Sequence, residues 1–148
     1  MKLKRNDPCP TCGRFDNRGV SIDAVIIKDT KILLIKRGSQ PYKGFWGTPG
    51  GYVDWDESAE DAVKREVKEE TGLEVIKTSL IGVYSNPTRH PKQTINIVYI
   101  AYVASGEAKA SDDATEVKWF PISALPNELA FDHKQNIADA IALTTTQS

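Results

Sequence analysis

Glu66, Glu69 and Glu70 can bring three carboxylates to one point if their segment is helical. Residues three and four apart are neighbours on a helix surface. Converging carboxylates repel one another unless a cation stands among them, and their hard oxygen donors favour Mg²⁺ or Mn²⁺. On a helical wheel over residues 57–71, Ala59, Ala62, Val63 and Val67 form an apolar stripe that should face the core. Glu66 and Glu70 project from its centre and Glu69 from its edge, whereas Glu60, Asp61, Lys64 and Lys68 point to solvent. A buried, isolated carboxylate is costly, so this stripe demands a salt bridge, a protonated acid or a metal ion. Arg65 stands one turn before Glu69 and two turns beyond Glu57, where it can orient the set. The preceding Gly50-Gly51 lets backbone come close to an ion, because no side chain obstructs it.

The surrounding elements must hold that helix against a sheet. Asp56 is the expected N-cap, Glu57 suits the positive end of the helix dipole, and Gly72 is a natural stop. Residues 20–28 and 31–37 read as strands joined by a hairpin at Asp29-Thr30. Short strands are expected near 45–48 and 51–54, with longer ones at 74–84 and 94–104. The last of these is apolar on both faces, so it should be covered on both sides. Residues 87–93 and 106–115 read as loops, 117–120 as a short strand and 133–143 as a closing helix.

The chain has 148 residues, 40% hydrophobic and 26% charged, which suits one globular domain with a real core. Its net charge of −1 and pI near 6.1 create no global basic field to recruit nucleic acid. No apolar run is long enough to span a membrane, and the start MKLKRNDPCP lacks a secretory core. The expected compartment is the cytoplasm. Residues 1–18 read as a polar arm carrying Cys9 and Cys12, a spacing like one knuckle of a zinc ribbon. A complete Zn²⁺ site needs further ligands, and no second such pair exists.

The pattern Gly51-x5-Glu57-x7-Arg65-Glu66-Val67-x-Glu69-Glu70-x-Gly72-Leu73 resembles the Nudix box at every defining position. The likeness extends through the lead-in GFWGTPGG and the downstream segment WFP, over about residues 20–143; Thr48 stands where the family usually has Leu. The resemblance implies an α/β/α sandwich around a mixed sheet, occupying residues 19–148. It also implies hydrolysis of a nucleoside diphosphate linked to another moiety, with Glu66, Glu69 and Glu70 holding Mg²⁺ (or Mn²⁺) and the Gly50 carbonyl as a further ligand. The general base would be Glu66 on the helix, or Asp112, Asp113 or Glu116 on a later loop. Segments outside the box look like ADP-ribose and nucleoside-diphosphate-sugar pyrophosphatases, including Pro87 beyond it. A house-cleaning triphosphate pyrophosphohydrolase and a non-catalytic nucleotide sensor are the alternatives. Relatives often dimerise, so a homodimer is expected too. Among residues that could meet the small-molecule nucleotide, Tyr84 or Phe131 could stack on a base. Arg89 could fork onto phosphate or ribose. Arg37 lies at a strand end by the expected mouth, and His133 either faces substrate or starts the last helix.

Overall fold

The computed structural model describes residues 7–146. Among the described residues there are eight strands: β1 Val20–Val25, β2 Ile27–Lys28, β3 Lys31–Arg37, β4 Trp46–Gly47, β5 Gly50–Tyr52, β6 Val75–Tyr84, β7 Ile95–Val103 and β8 Ala114–Pro121. The helices are α1 Ala59–Thr71 and α2 His133–Thr146. One sheet runs β5-β1-β7-β6, and the other pairs β2, β4 and β8 around β3. Strands β1 and β7 are parallel and the remaining pairs are antiparallel, so the first sheet is mixed.

Alternation along the strands divides the core between the helices. Ile22, Ala24, Leu33, Tyr99 and Ala101 pack with Ala62, Val63 and Val67 of α1. Their neighbours Val25, Ile32, Leu34, Val98 and Ile100 pack with Ile137 and Ala140 of α2. The expected double covering of β7 follows directly, and so does the α/β/α layering. Asp23 and Asn96 occupy positions in β1 and β7 that alternate toward α2, and both are buried.

Several boundaries differ from expectation. Strand β8 begins at Ala114 rather than Val117, because its pairing with β3 runs on to Arg37 across a bulge. The expected loop at 87–93 opens with a 3₁₀ turn over Pro87–Arg89, capped by Asn86, whose Oδ1 accepts from the Thr88 N–H at 3.0 Å. Among the described residues, no helix is long and apolar enough to cross a membrane.

Candidate active site

Helix α1 starts two residues later than a cap at Asp56 would require. Ser58 is the N-cap, its Oγ accepting from the Asp61 N–H at 3.1 Å. Asp56 instead takes a left-handed turn conformation, φ 63°. Gly72 ends the helix as expected, in the left-handed region at φ 76°, with its N–H donating to the Lys68 carbonyl.

Arg65 is the hub of the acidic helix. Its Nε and Nη2 donate to the two oxygens of Glu57 at 3.0 and 2.8 Å. Its Nη1 reaches Glu66 Oε1 at 2.9 Å and Glu69 Oε2 at 3.2 Å, and Nη2 also donates to the Tyr52 carbonyl at 3.0 Å. Hydrogen bonds from Arg65 and from the Asp54 N–H hold the Glu57 carboxyl down at about 2. The Glu57 contact in turn raises Arg65 above its ordinary value, so the guanidinium is a permanent charge.

Glu66 and Glu70 behave oppositely. Burial pushes Glu70 up to about 8, partly offset by the Gly50 N–H, which donates to its Oε1 at 2.8 Å, and reinforced by the charges of Glu66 and Asp23. Burial likewise raises Glu66 to about 7 against the pull of Arg65. Glu70 is only 4% exposed, whereas Glu69 is exposed and no part of the stripe proper. Each of Glu66 and Glu70 keeps one oxygen without a hydrogen-bond partner among the described residues.

Strand β5 lies between two carboxylates, one on each side of the sheet. A Cβ on Gly51 would fall 2.4 Å from Glu66 Oε1, and one on Gly50 would fall 2.2 Å from Asp23 Oδ1. At Gly50 the Ile22 carbonyl also stands 2.2 Å from that Cβ, so close backbone approach requires glycine there, whereas at Gly51 a Cβ would displace Glu66. Gly50 and Tyr52 turn their backbone groups away from β1, since one donates to Glu70 and the other accepts from Arg65. The Gly50 carbonyl thus faces the same side as Glu70.

A cleft opens over this edge. Its larger part, about 270 Å³, is lined by Glu66, Glu70, Asp112, Asp113 and Arg37 with Gly50 and Gly51. A smaller part of about 110 Å³ shares Arg37, Gly50, Gly51 and Glu70 and continues to Asp23, Thr48, His90 and His133. Among the described residues, no three His, Cys, Asp or Glu side chains are arranged as a ready chelate. Arg65 accounts for this at the acidic helix, because it draws Glu66 and Glu69 to itself. The donor set nevertheless fits a hard cation. It consists of two carboxylates with raised proton affinity, each with a free oxygen, and one carbonyl facing them.

The expected substrate residues separate. Arg37 lines both parts of the cleft, its Nε donating to the Pro41 carbonyl at 2.9 Å and its guanidinium 5.0 Å from the Phe131 ring centre. Phe131 also stacks on His90 at 4.7 Å and meets Tyr42 edge-on at 4.8 Å. His133 begins α2 and lines the smaller part; its Nδ1 accepts from the Thr48 N–H at 3.2 Å, and its Nε2 lies 3.2 Å from Asp23 Oδ2. An Nδ1 that accepts must be unprotonated, so Nε2 carries the ring hydrogen on the side of Asp23.

Three expectations are corrected. Tyr84 lines neither part of the cleft, because its hydroxyl donates to Asp139 of α2 and its ring packs in the core beneath that helix. The Arg89 fork is already filled: Nε and Nη2 hold both Asp132 oxygens at 2.9 Å, and Nη1 donates to the Thr94 carbonyl at 3.0 Å. Glu116 pairs with Lys36 at 3.7 Å and is absent from the cleft wall, unlike Asp112 and Asp113. Asp23 and Asn96 are the residues the sequence reading missed. A charge and an amide inside two largely apolar strands were the available signal. Cys9 and Cys12 are free thiols on the arm, with no third metal-binding side chain beside them among the described residues.

Residues 17–141 match the NUDIX domain, and the chain belongs to the Nudix family. It is a Nudix hydrolase, a class that generally uses a divalent metal. It is 52% identical over 121 residues to an ADP-ribose pyrophosphatase of Methanocaldococcus jannaschii, covering 81% of this chain and 71% of that one. Among solved structures, the NUDIX domain of Shewanella oneidensis NrtR complexed with ADP ribose superimposes with TM-score 0.79 at 30% identity, over 88% of this chain and 90% of that one. A MutT/nudix family protein from Enterococcus faecalis gives TM-score 0.81 at 29% identity, over 90% of this chain and 64% of the longer neighbour.

Proposed function

We propose that this chain hydrolyses the diphosphate linkage of ADP-ribose or a closely similar nucleoside diphosphate sugar, giving a nucleoside monophosphate and a sugar phosphate. The carrying observation is the placement of Glu66 and Glu70 on the wall of a cleft at Gly50-Gly51, with Arg37 on the same wall. The substrate class is supported by the 52% identical ADP-ribose pyrophosphatase and by the ADP-ribose complex of the NrtR domain.

Mg²⁺ (or Mn²⁺) would be held by Glu66, Glu69, Glu70 and the Gly50 carbonyl. When bound, such an ion shields diphosphate charge and lowers the pKa of water. Glu69 would have to leave Arg65 to join the set. Arg65 and Glu57 orient the helix carboxylates throughout. Arg37 supplies positive charge to a phosphate crossing the cleft. The proton of the attacking water goes to a carboxylate: Glu66, whose raised pKa of about 7 suits proton uptake near neutrality, or Asp112 or Asp113 across the cleft.

The test is a hydrolysis panel with product identification, covering ADP-ribose, other diphosphate sugars, oxidised dGTP and dinucleoside polyphosphates. AMP and ribose 5-phosphate from ADP-ribose, at the highest kcat/KM of the panel, are expected. Preferential release of pyrophosphate from triphosphates would replace this reading with the house-cleaning one.

A further inference from the structure

The smaller part of the cleft contains a carboxylate that the diphosphate chemistry does not use. Asp23 sits on β1 with its side chain 10% exposed. Its Oδ2 accepts from Asn96 Nδ2 at 2.6 Å and lies 3.2 Å from His133 Nε2. Ser21 Oγ donates to Asn96 Oδ1 at 2.9 Å, and a flipped amide would set its oxygen against the Asp23 carboxylate. Asp23 Oδ1, by contrast, has no hydrogen-bond partner among the described residues and is not sealed from the pocket. A charged oxygen held this rigidly at the edge of a pocket needs a donor.

The chemistry of the donor can be narrowed. A phosphate is excluded, because it would meet a carboxylate of its own sign. The small part of the cleft, about 110 Å³, suits one ring better than a whole nucleoside. The other polar groups agree. His90 accepts from the Lys92 N–H through Nδ1 at 3.0 Å, which leaves Nε2 as its N–H donor. Burial first, and then the Arg89 charge, lower the His90 pKa, so the ring is neutral near pH 7. Acceptor and donor on one small pocket suit neighbouring hydroxyls.

We propose that Asp23 is a substrate-binding residue whose free oxygen accepts a hydrogen from a pentose hydroxyl, with His133 and Asn96 as its positioning residues. The proposal rests on the reading that the substrate is a nucleoside diphosphate sugar and specifies one of its subsites. ADP-ribose carries two pentoses, and either could supply the hydroxyl.

The test uses the full chain and the variant Asp23→Asn, which keeps an oxygen for His133 and Asn96 but turns the free acceptor into an N–H donor. KM for ADP-ribose should rise about tenfold while kcat changes less than about threefold, as expected for one lost hydrogen bond to a hydroxyl. Analogues lacking a hydroxyl on the adenosine ribose or on the terminal ribose identify the source. One of them should raise wild-type KM about tenfold and have little further effect in Asp23→Asn, because the two changes remove the same contact. An unchanged KM in Asp23→Asn, or wild-type indifference to both analogues, overturns the proposal. So does a loss confined to kcat with an altered Mg²⁺ requirement, which would make Asp23 a cation ligand. If Asp23→Asn does not fold, the wild-type analogue series decides alone. If ADP-ribose is not turned over, the functional reading fails first. Calorimetry with ribose 5-phosphate against glycerol 3-phosphate then tests the pocket separately, with equal affinity counting against it.

Discussion

Two glycines and two glutamates make the reacting edge, and each can be tested by one atom or group. Glu70→Gln keeps an oxygen for the Gly50 N–H but removes the charge. Activity with Mg²⁺ should fall about 100-fold or more, with the fold intact by circular dichroism. Near-normal turnover would sink the ligand assignment. Gly51→Ala adds a Cβ where Glu66 already stands, 2.4 Å from Oε1. Glu66 must move, and a misplacement of that order should cost about 100-fold in kcat. Unaltered kcat in this variant would mean that the position of Glu66 does not matter to the reaction.

At the scale of elements, α2 is fastened by its first residues rather than by its length. Asp132 grips Arg89, His133 reaches back to Asp23 and the Thr48 N–H, and Ile137 and Ala140 fill the core beneath. The Arg89 side chain is 5% exposed and satisfied on every side of its fork. Arg89→Leu would leave Asp132 partly buried and unpaired, at a cost of about 2 kcal/mol in urea unfolding. A change within experimental error would show that the pair is replaceable. Helix α1 is fastened differently. Its apolar stripe lies on the sheet while Arg65 ties its acidic side to Glu57 and to the Tyr52 carbonyl.

For the whole molecule, the cleft carboxylates set a pH dependence whose sign is fixed. Glu66 and Glu70 are raised from 4.5 to about 7 and about 8. Protonation therefore favours the folded state; their contribution is complete below pH 4.5 and is lost as pH rises through those values. His90, lowered from 6.5, titrates below this window, and Glu57, held at about 2, lies far outside it. Between pH 6.5 and 8.5 the Tm of metal-free protein should fall by a few degrees, and the fall should flatten in Glu70→Gln. Added Mg²⁺ should raise Tm more at pH 8.5 than at 6.5, because fewer protons then have to leave. A metal-free melting curve that rises across this window would refute the burial of both acids.

Sequence alone determined the acidic helix, its Gly72 stop and a β7 strand covered on both faces, since these follow from local periodicity and from spacing within one segment, while the α/β/α layering was implied by the resemblance to the Nudix box. It also identified Arg65 as the organiser, because Glu57 and Glu69 lie only 8 and 4 residues from it in sequence. Tertiary structure decided the rest. Arg89 and Tyr84 looked like substrate groups until packing supplied Asp132 and Asp139, partners 43 and 55 residues distant. Asp23 stands between the apolar Ile22 and Ala24, and alternation turns it toward α2, where Asn96 and His133 stand at one oxygen and leave the other facing the cleft. A hydrogen bond between distant segments has no spacing to read in one chain, whereas a helix face repeats every few residues.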